Sequence, residues 1–451
     1  MWRAELTTAV DLLALHRQQP RLFPFLLQSV AGHPQSGRWD VLFAFPQQAL
    51  QLGPDGLSGD VPGMADAPDF FAALDRWAAA EGPLAAASED EALPFCGGWF
   101  LYLGYEAARH VEPRLRLPVS PFALPDALAV RCPAAIVRDR QRQRTILVAE
   151  QGQAQLDELL RHVRDVPATA PAASVAAQVR EEEAGRYLSG VARVLDYLRA
   201  GDVFQVNLSR RWDATIGAGV GPADLYEQLQ QRNPAPFAGL MRWGDAAVVS
   251  SSPERLLQID GRLAQTRPIA GTRRRGIDAD EDTRLKTVLR ENLKERAEHV
   301  MLLDLERNDL GRVCVPGSIE VNELMTLESY AHVHHIVSNV RGQLRDGVGP
   351  GAALKAVFPG GTITGCPKVR VMEIIAELEG EGRGPYTGAI GYLSRDGRLD
   401  TNILIRTMVW QPGRVSLRAG AGIVVDSQPQ AELQETRAKA RGLLLALGDA
   451  P

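Results

Sequence analysis

Residues 386–427 read YTGAIGYLSRDGRLDTNILIRTMVWQPGRVSLRAGAGIVVDS. Four β-prone runs lie within this stretch: YTGAIGYLS (386–394), ILIRTMVWQ (403–411), RVSLRAG (414–420) and GAGIVVDS (420–427). Working outward, AAVVSSSP (246–253) and ERLLQID (254–260) read as further strands, and VFQVNLSRRWDA (203–214) alternates like one. Helices are expected at 283–300, 350–357, 367–379 and 428–447. An amphipathic helix is expected in EEEAGRYLSGVARVLDYLRAGD (181–202), stopped by Gly201. Many strands with a few long helices, in no regular βαβ order, define an α+β protein with large antiparallel sheets.

The first 165 residues alternate short apolar runs with turn signals, and AAIVRDRQRQRTILVAE (134–150) reads as a hairpin. Gly97-Gly98 before an aromatic strand marks a bulge or a close backbone approach. RDVPATAPAASVAAQ (164–178), rich in Ala, Pro and small polar residues, is the best linker candidate. An N-terminal subdomain over 1–165 and a catalytic domain over 180–451 are therefore expected. The chain is 45% hydrophobic and 23% charged with a formal net charge of -5, an ordinary soluble composition. Mild acidity favours neither nucleic acid nor an anionic membrane as a partner. No apolar run is long enough to span a bilayer, and MWRAELTTAVDLL lacks the form of a secretory signal, so a cytoplasmic location is expected. Cys96, Cys132, Cys314 and Cys366 lie far apart and form no CxxC pair, as in reduced thiols.

Candidate chemistry concentrates in the second half. In RENLKERAEHVMLLDLERNDLGR (290–312), Glu291, Glu295 and Glu298 fall at helical spacing and share one helix face, followed by a strand-like run from Val300 to Leu305. Near the C-terminus, Glu432, Glu435 and Lys439 fall three and four residues apart. Two such carboxylate pairs suit a hard divalent cation, and two solvated faces suit the spacing as well. Gly420-Ala421-Gly422 reads as a turn whose amides could hold a carboxylate, or as a plain bulge. Arg406, in the apolar strand ILIRTM, needs an anionic partner, structural or substrate. His334-His335 precede an apolar strand pattern. FPGGTITGCPKVR (358–370) around Thr362 and TRPIAGTRRRG (266–276) around Thr272 read as loops built for close approach, the latter also readable as a solvated basic loop.

The order of these segments is more specific than any one of them. AGT, KERAEH with DLERNDLGR, HHIVSNV, FPGGTITGCPKVR, PYTGAIGYL, LDTNILIRT, GAGIV and QAELQETRAK together resemble the chorismate-utilising enzymes over nearly all of residues 180–445. That family includes component I of anthranilate and aminodeoxychorismate synthases, and isochorismate and salicylate synthases. The resemblance implies two antiparallel sheets stacked as a sandwich, an α/β sandwich flanked by helices with the site in a cleft. It implies that Glu298 and Glu435 ligate Mg2+, which holds the ring carboxylate of chorismate. Glu295 and Glu432 support it, through waters or as an acid for the departing C4 hydroxyl. Arg406, Tyr386, Lys439 and the amides of Gly420 and Gly422 match contacts to substrate carboxylates. His335 and Thr362 match positions facing the C4 oxygen and ring, and Thr272 lines the same pocket.

Two positions discriminate among members. Where water-adding relatives carry a water-activating lysine, this chain has Gln205, and an amide is no general base near neutral pH. Ammonia needs no such activation, so an amination is expected. Aminodeoxychorismate synthases commonly read PIKGT, with the lysine proposed as a covalent nucleophile. Here the motif is PIAGT, with Ala270, as in anthranilate synthases. FPGGT in place of FPAGT, LLQS (26–29) in place of the LLES tryptophan-feedback motif, and LPFCGGWFLYLGYEAAR (93–109) resemble the aminodeoxychorismate synthase branch. The expected function is therefore amination of chorismate to 4-amino-4-deoxychorismate on the p-aminobenzoate and folate path. Ammonia would come from a partner glutamine amidotransferase subunit, since no Cys-His amidotransferase signature occurs here. The alternatives are an anthranilate synthase component I and a non-catalytic chorismate-binding module.

Overall fold

The computed structural model describes residues 1–7, 9–31, 37–84, 93–164, 173, 175–329 and 333–448. Of the expected linker, residues 165–172 and 174 lie outside this set. Two antiparallel sheets dominate, of twelve and eleven strands among the described residues. The first places Phe25–Gln28 beside Phe237–Trp243, then Ala246–Ser252, Thr407–Gln411, Arg414–Ile423 and Gln205–Thr215. The second runs from Ile269–Arg274 through Val333–Gln343, Leu263–Arg267, Arg255–Asp260, Leu399–Asn402 and Ala389–Ser394 to Gly98–Leu103.

Strict alternation explains why both sheets are buried on both faces. In Gly98–Leu103, Phe100 and Tyr102 enter the core between the sheets, where Phe25 stacks on Phe100 at 4.0 Å. Trp99, Leu101 and Leu103 point the other way, into a core shared with the helices Phe70–Glu81 and Pro350–Val357. In Trp39–Ala44, Val41 and Phe43 face between the sheets, while Leu42 and Ala44 meet an outer core that includes Ala440 and Leu443 of the helix Pro429–Ala446. Period-two side chains thus fill one inner and two outer apolar layers, the packing of an α+β sandwich flanked by helices.

Strands from residues 1–165 and from 180–451 are hydrogen-bonded within the same sheets. Leu26 pairs with Leu240 in one, and Leu101 with Gly391 in the other. No helix among the described residues is long and apolar enough to cross a membrane, and all four cysteines are free.

Several local expectations change. The run Val300–Leu305 is helical, because the helix Leu293–Gly311 continues through it. Its apolar residues include Leu302, Leu303 and Leu305, whose spacing also serves a helix face packed on the second sheet. Glu291 closes a separate helix, Ala279–Glu291, that ends at Asn292, so only Glu295 and Glu298 share a helix. Gly420-Ala421-Gly422 is no turn: it lies inside the continuous strand Arg414–Ile423. Arg406 precedes rather than joins its strand, Thr407–Gln411, and takes a left-handed backbone with φ 52°.

Candidate active site

The strands Gln205–Thr215 and Arg414–Ile423 pair with Asn207 opposite Gly422 and Ser209 opposite Gly420. Alternation puts Gln205, Asn207 and Ser209 on one face, next to Gly420 and Gly422. That face explains both glycines. A Cβ on Gly420 would lie 2.8 Å from the Tyr386 hydroxyl and 2.7 Å from Asn207 Oδ1, and one on Gly422 would overlap Gln205 Nε2. Four residues singled out from sequence, Gln205, Tyr386, Gly420 and Gly422, therefore form one wall. Lys439 joins it from the helix Pro429–Ala446, donating from Nζ to the Gly420 carbonyl at 3.1 Å and pairing with Glu435 at 2.8 Å.

A second group converges from the other sheet. His335, in Val333–Gln343, is buried, and its ring meets the Gly271 carbonyl. Burial, together with the positive charges of Arg406 and Lys439, pushes its pKa down to about 3. His335 is therefore neutral at physiological pH, and its neighbourhood is electropositive. Burial likewise lowers the pKa of Arg406, opposed by the negative charge of Glu254. Ala270 is buried in Ile269–Arg274, and Thr272 pairs in register with His335 along the same strand.

Glu254 is the residue the sequence reading passed over. It is 4% exposed, accepts from the Ile269 amide at 3.3 Å and meets the Thr362 hydroxyl. Burial raises its pKa to about 7, against the pull of Lys439. A buried carboxyl that titrates near neutrality, beside an arginine and a threonine, is suited to donate a proton. A single Glu between two strands, in Ser-Ser-Pro-Glu, has no periodicity to mark it. Asn207 was legible, since it shares a face with Gln205.

Thr362 occupies a short 3-10 turn, Gly361–Ile363. Beside it, Glu306 is buried, meets the Gly361 amide and the Thr266 hydroxyl, and is also raised to about 7 by burial and the nearby Asp309. Asp309 is ion-paired with Lys368.

Among the carboxylates expected to hold metal, Glu295 pairs with Arg273 at 2.5 Å and lies against Gly271. Glu432 is buried and Glu435 exposed, both within electrostatic reach of Tyr187, whose hydroxyl is also influenced by Tyr386. No group of three or more His, Cys, Asp or Glu side chains converges as a metal centre among the described residues. Glu298 lies on the helix Leu293–Gly311, and Glu435, ion-paired with Lys439, on the helix Pro429–Ala446.

A family model for chorismate binding enzymes matches residues 56–445, and the chain belongs to that family. Anthranilate synthase component 1 of Thermus thermophilus is 44% identical over 362 residues, covering 78% of each protein. Aminodeoxychorismate synthase component 1 of Bacillus subtilis is 41% identical over 365 residues, covering 78% of this chain and 77% of that protein. The crystal structure of anthranilate synthase component I from Streptococcus pneumoniae superposes with a TM-score of 0.80 at 32% identity, covering 91% of this chain and 93% of that one. The protein is thus an enzyme that acts on chorismate, with the sandwich fold expected from its motifs.

Proposed function

We propose that this enzyme is component I of an aminodeoxychorismate synthase, acting in the cytoplasm with a glutamine amidotransferase subunit that supplies ammonia. The observation that carries the amination is Gln205, whose amide occupies the wall where a water-adding member needs a base. The carboxylates of chorismate meet Arg406, Lys439, Tyr386 and the Gly420–Gly422 strand. The C4 hydroxyl faces Glu254, Thr362 and His335. Ammonia forms the new C–N bond at C4 as the C4–O bond breaks, and the hydroxyl leaves as water with the proton of Glu254. The ammonium so formed releases its extra proton to solvent. Bound magnesium would sit on Glu298 and Glu435, with Glu432 and Glu295 behind them, and would neutralise the ring carboxylate.

The branch assignment rests on LLQS, FPGGT and the N-terminal third. At LLQS, the Gln28 amide donates to Asp40 at 3.4 Å and accepts from Gln230 at 2.6 Å, so the glutamine is tied down at the end of an interior strand. The second reading, anthranilate synthase component I, is favoured by Ala270 and by the slightly higher identity to the Thermus protein. Incubation with chorismate, magnesium and an ammonium salt decides between them. The expected product is 4-amino-4-deoxychorismate; fluorescent anthranilate released without an added lyase overturns the assignment.

A further inference from the structure

Behind the wall just described, the same strand face continues from Asn207 to Ser209 and meets a buried ionic cluster. Arg383 and Glu379 are both almost fully buried and pair at 2.6 Å. Arg418, 5% exposed, donates to the other Glu379 oxygen at 2.9 Å and to the Ser209 hydroxyl at 3.0 Å. The Ser209 amide and hydroxyl both donate to Glu379 Oε1, at 2.9 and 2.8 Å. Burial would raise the Glu379 carboxyl, but Arg383 and Arg418 bring it below the usual carboxylate range. Two buried arginines around one buried glutamate are an expensive way to fill a core, since apolar side chains of similar volume pack there as well or better.

The contacts of Arg383 indicate what it secures. Its Nε and Nη2 donate to Glu379 at 2.9 and 2.6 Å, and Nη2 also donates to the Asn207 carbonyl at 2.7 Å. Nη1 donates to the Ile363 carbonyl and to the Thr387 hydroxyl, both at 3.3 Å. All five N–H groups are thus used. The Thr387 hydroxyl passes the connection on, donating to the Tyr386 carbonyl at 2.5 Å. The guanidinium also lies 5.4 Å from the centre of the Tyr386 ring. Glu106 fixes the start of the same turn, accepting from the Arg383 and Gly384 amides at 2.6 and 3.0 Å.

We propose that Arg383, held by Glu379, is the positioning residue of this active site. One planar group sets Asn207, the turn bearing Thr362, and Tyr386 at fixed mutual distances. It touches no substrate; it acts through those three. A lysine supplies three donors without a plane and cannot reach all five acceptor directions. The inference deepens the proposed function and rests on its placement of chorismate against Tyr386 and Thr362.

Steady-state kinetics of Arg383→Lys, Thr387→Val and Tyr386→Phe test it, following chorismate consumption whatever the product. The product of the unmodified enzyme, identified separately, tests the assigned reaction, so the two can fail independently. For Arg383→Lys that remains folded by circular dichroism, kcat/KM should fall roughly 10- to 100-fold, mostly in kcat. Adding Tyr386→Phe should then produce little further loss, because both changes release the same wall. Turnover within about twofold of the unmodified enzyme, or losses that multiply, overturns the proposal. Should Arg383→Lys fail to fold, Thr387→Val cuts the link to Tyr386 alone. A loss of about threefold or more in kcat/KM then supports the proposal, and a smaller one overturns it.

Discussion

In the proposed amination, Glu254 and Gln205 divide the chemistry between them, one able to give a proton and the other unable to take one. Replacing Glu254 by Gln keeps the hydrogen-bonding shape and removes the acid, so kcat should fall by roughly 10²- to 10⁴-fold while chorismate still binds. The pH profile gives an independent check. Glu254 titrates near 7, so the limb it governs should fall as pH rises through about 7, and Glu254→Gln should lack that limb. Stability follows by linkage. The folded chain keeps a proton on Glu254 that the unfolded chain loses near 4.5, so this contribution is whole below that pH and is lost as pH rises through about 7. His335 has the opposite sign: depressed to about 3, it destabilises the fold as pH falls below 6.5. Urea unfolding at pH 5 and pH 8 should therefore show a smaller alkaline loss in Glu254→Gln than in the unmodified protein.

One strand and two helices present the site, and both kinds of element carry a prediction. The strand Arg414–Ile423 depends on the absence of side chains at Gly420 and Gly422. Gly420→Ala would place its Cβ 2.7 Å from the Leu208 carbonyl of the paired strand as well as against Tyr386. Because that neighbour is backbone, the ladder must shift, and KM for chorismate should rise on the order of tenfold or more. A Gly420→Ala enzyme with unchanged KM would show that Tyr386 and Gly420 do not meet substrate. The helices Leu293–Gly311 and Pro429–Ala446 carry the proposed metal carboxylates. Glu298→Gln and Glu435→Gln should each weaken magnesium binding by roughly 10- to 100-fold, read by calorimetry with chorismate present and by the magnesium needed for half-maximal rate. Undiminished binding in both would remove these residues as ligands. The helices also show where periodicity misleads: Val300–Leu305 is apolar enough for a strand, and Glu291 is in phase with Glu295. Only the break at Asn292 and the packing of Leu302, Leu303 and Leu305 resolve them.

At the scale of the molecule, the sheets are shared by early and late segments of the chain. Residues 180–451 expressed alone would leave Phe237–Trp243 without Phe25–Gln28 and Ala389–Ser394 without Gly98–Leu103. Two open edges would then face water, together with Met241, Val248, Ile390 and Val409, which lose their inter-sheet partners Phe25, Phe100 and Tyr102. That fragment should be insoluble or fail to unfold cooperatively by denaturant titration. A soluble, cooperative fragment active on chorismate would establish it as a self-sufficient domain. The sequence by itself determined the sandwich class, the family and most of the wall: alternating apolar runs dictate two-sided burial, and the motif order is specific. Tertiary structure alone decided that Glu254, isolated between two strands, lies beside Arg406 and Thr362. It also joined Asn207, far earlier in the chain, to Ile363 and Tyr386 at one guanidinium. Neither could be read in advance, because a buried charge is defined by what surrounds it, and those surroundings come from segments more than a hundred residues apart.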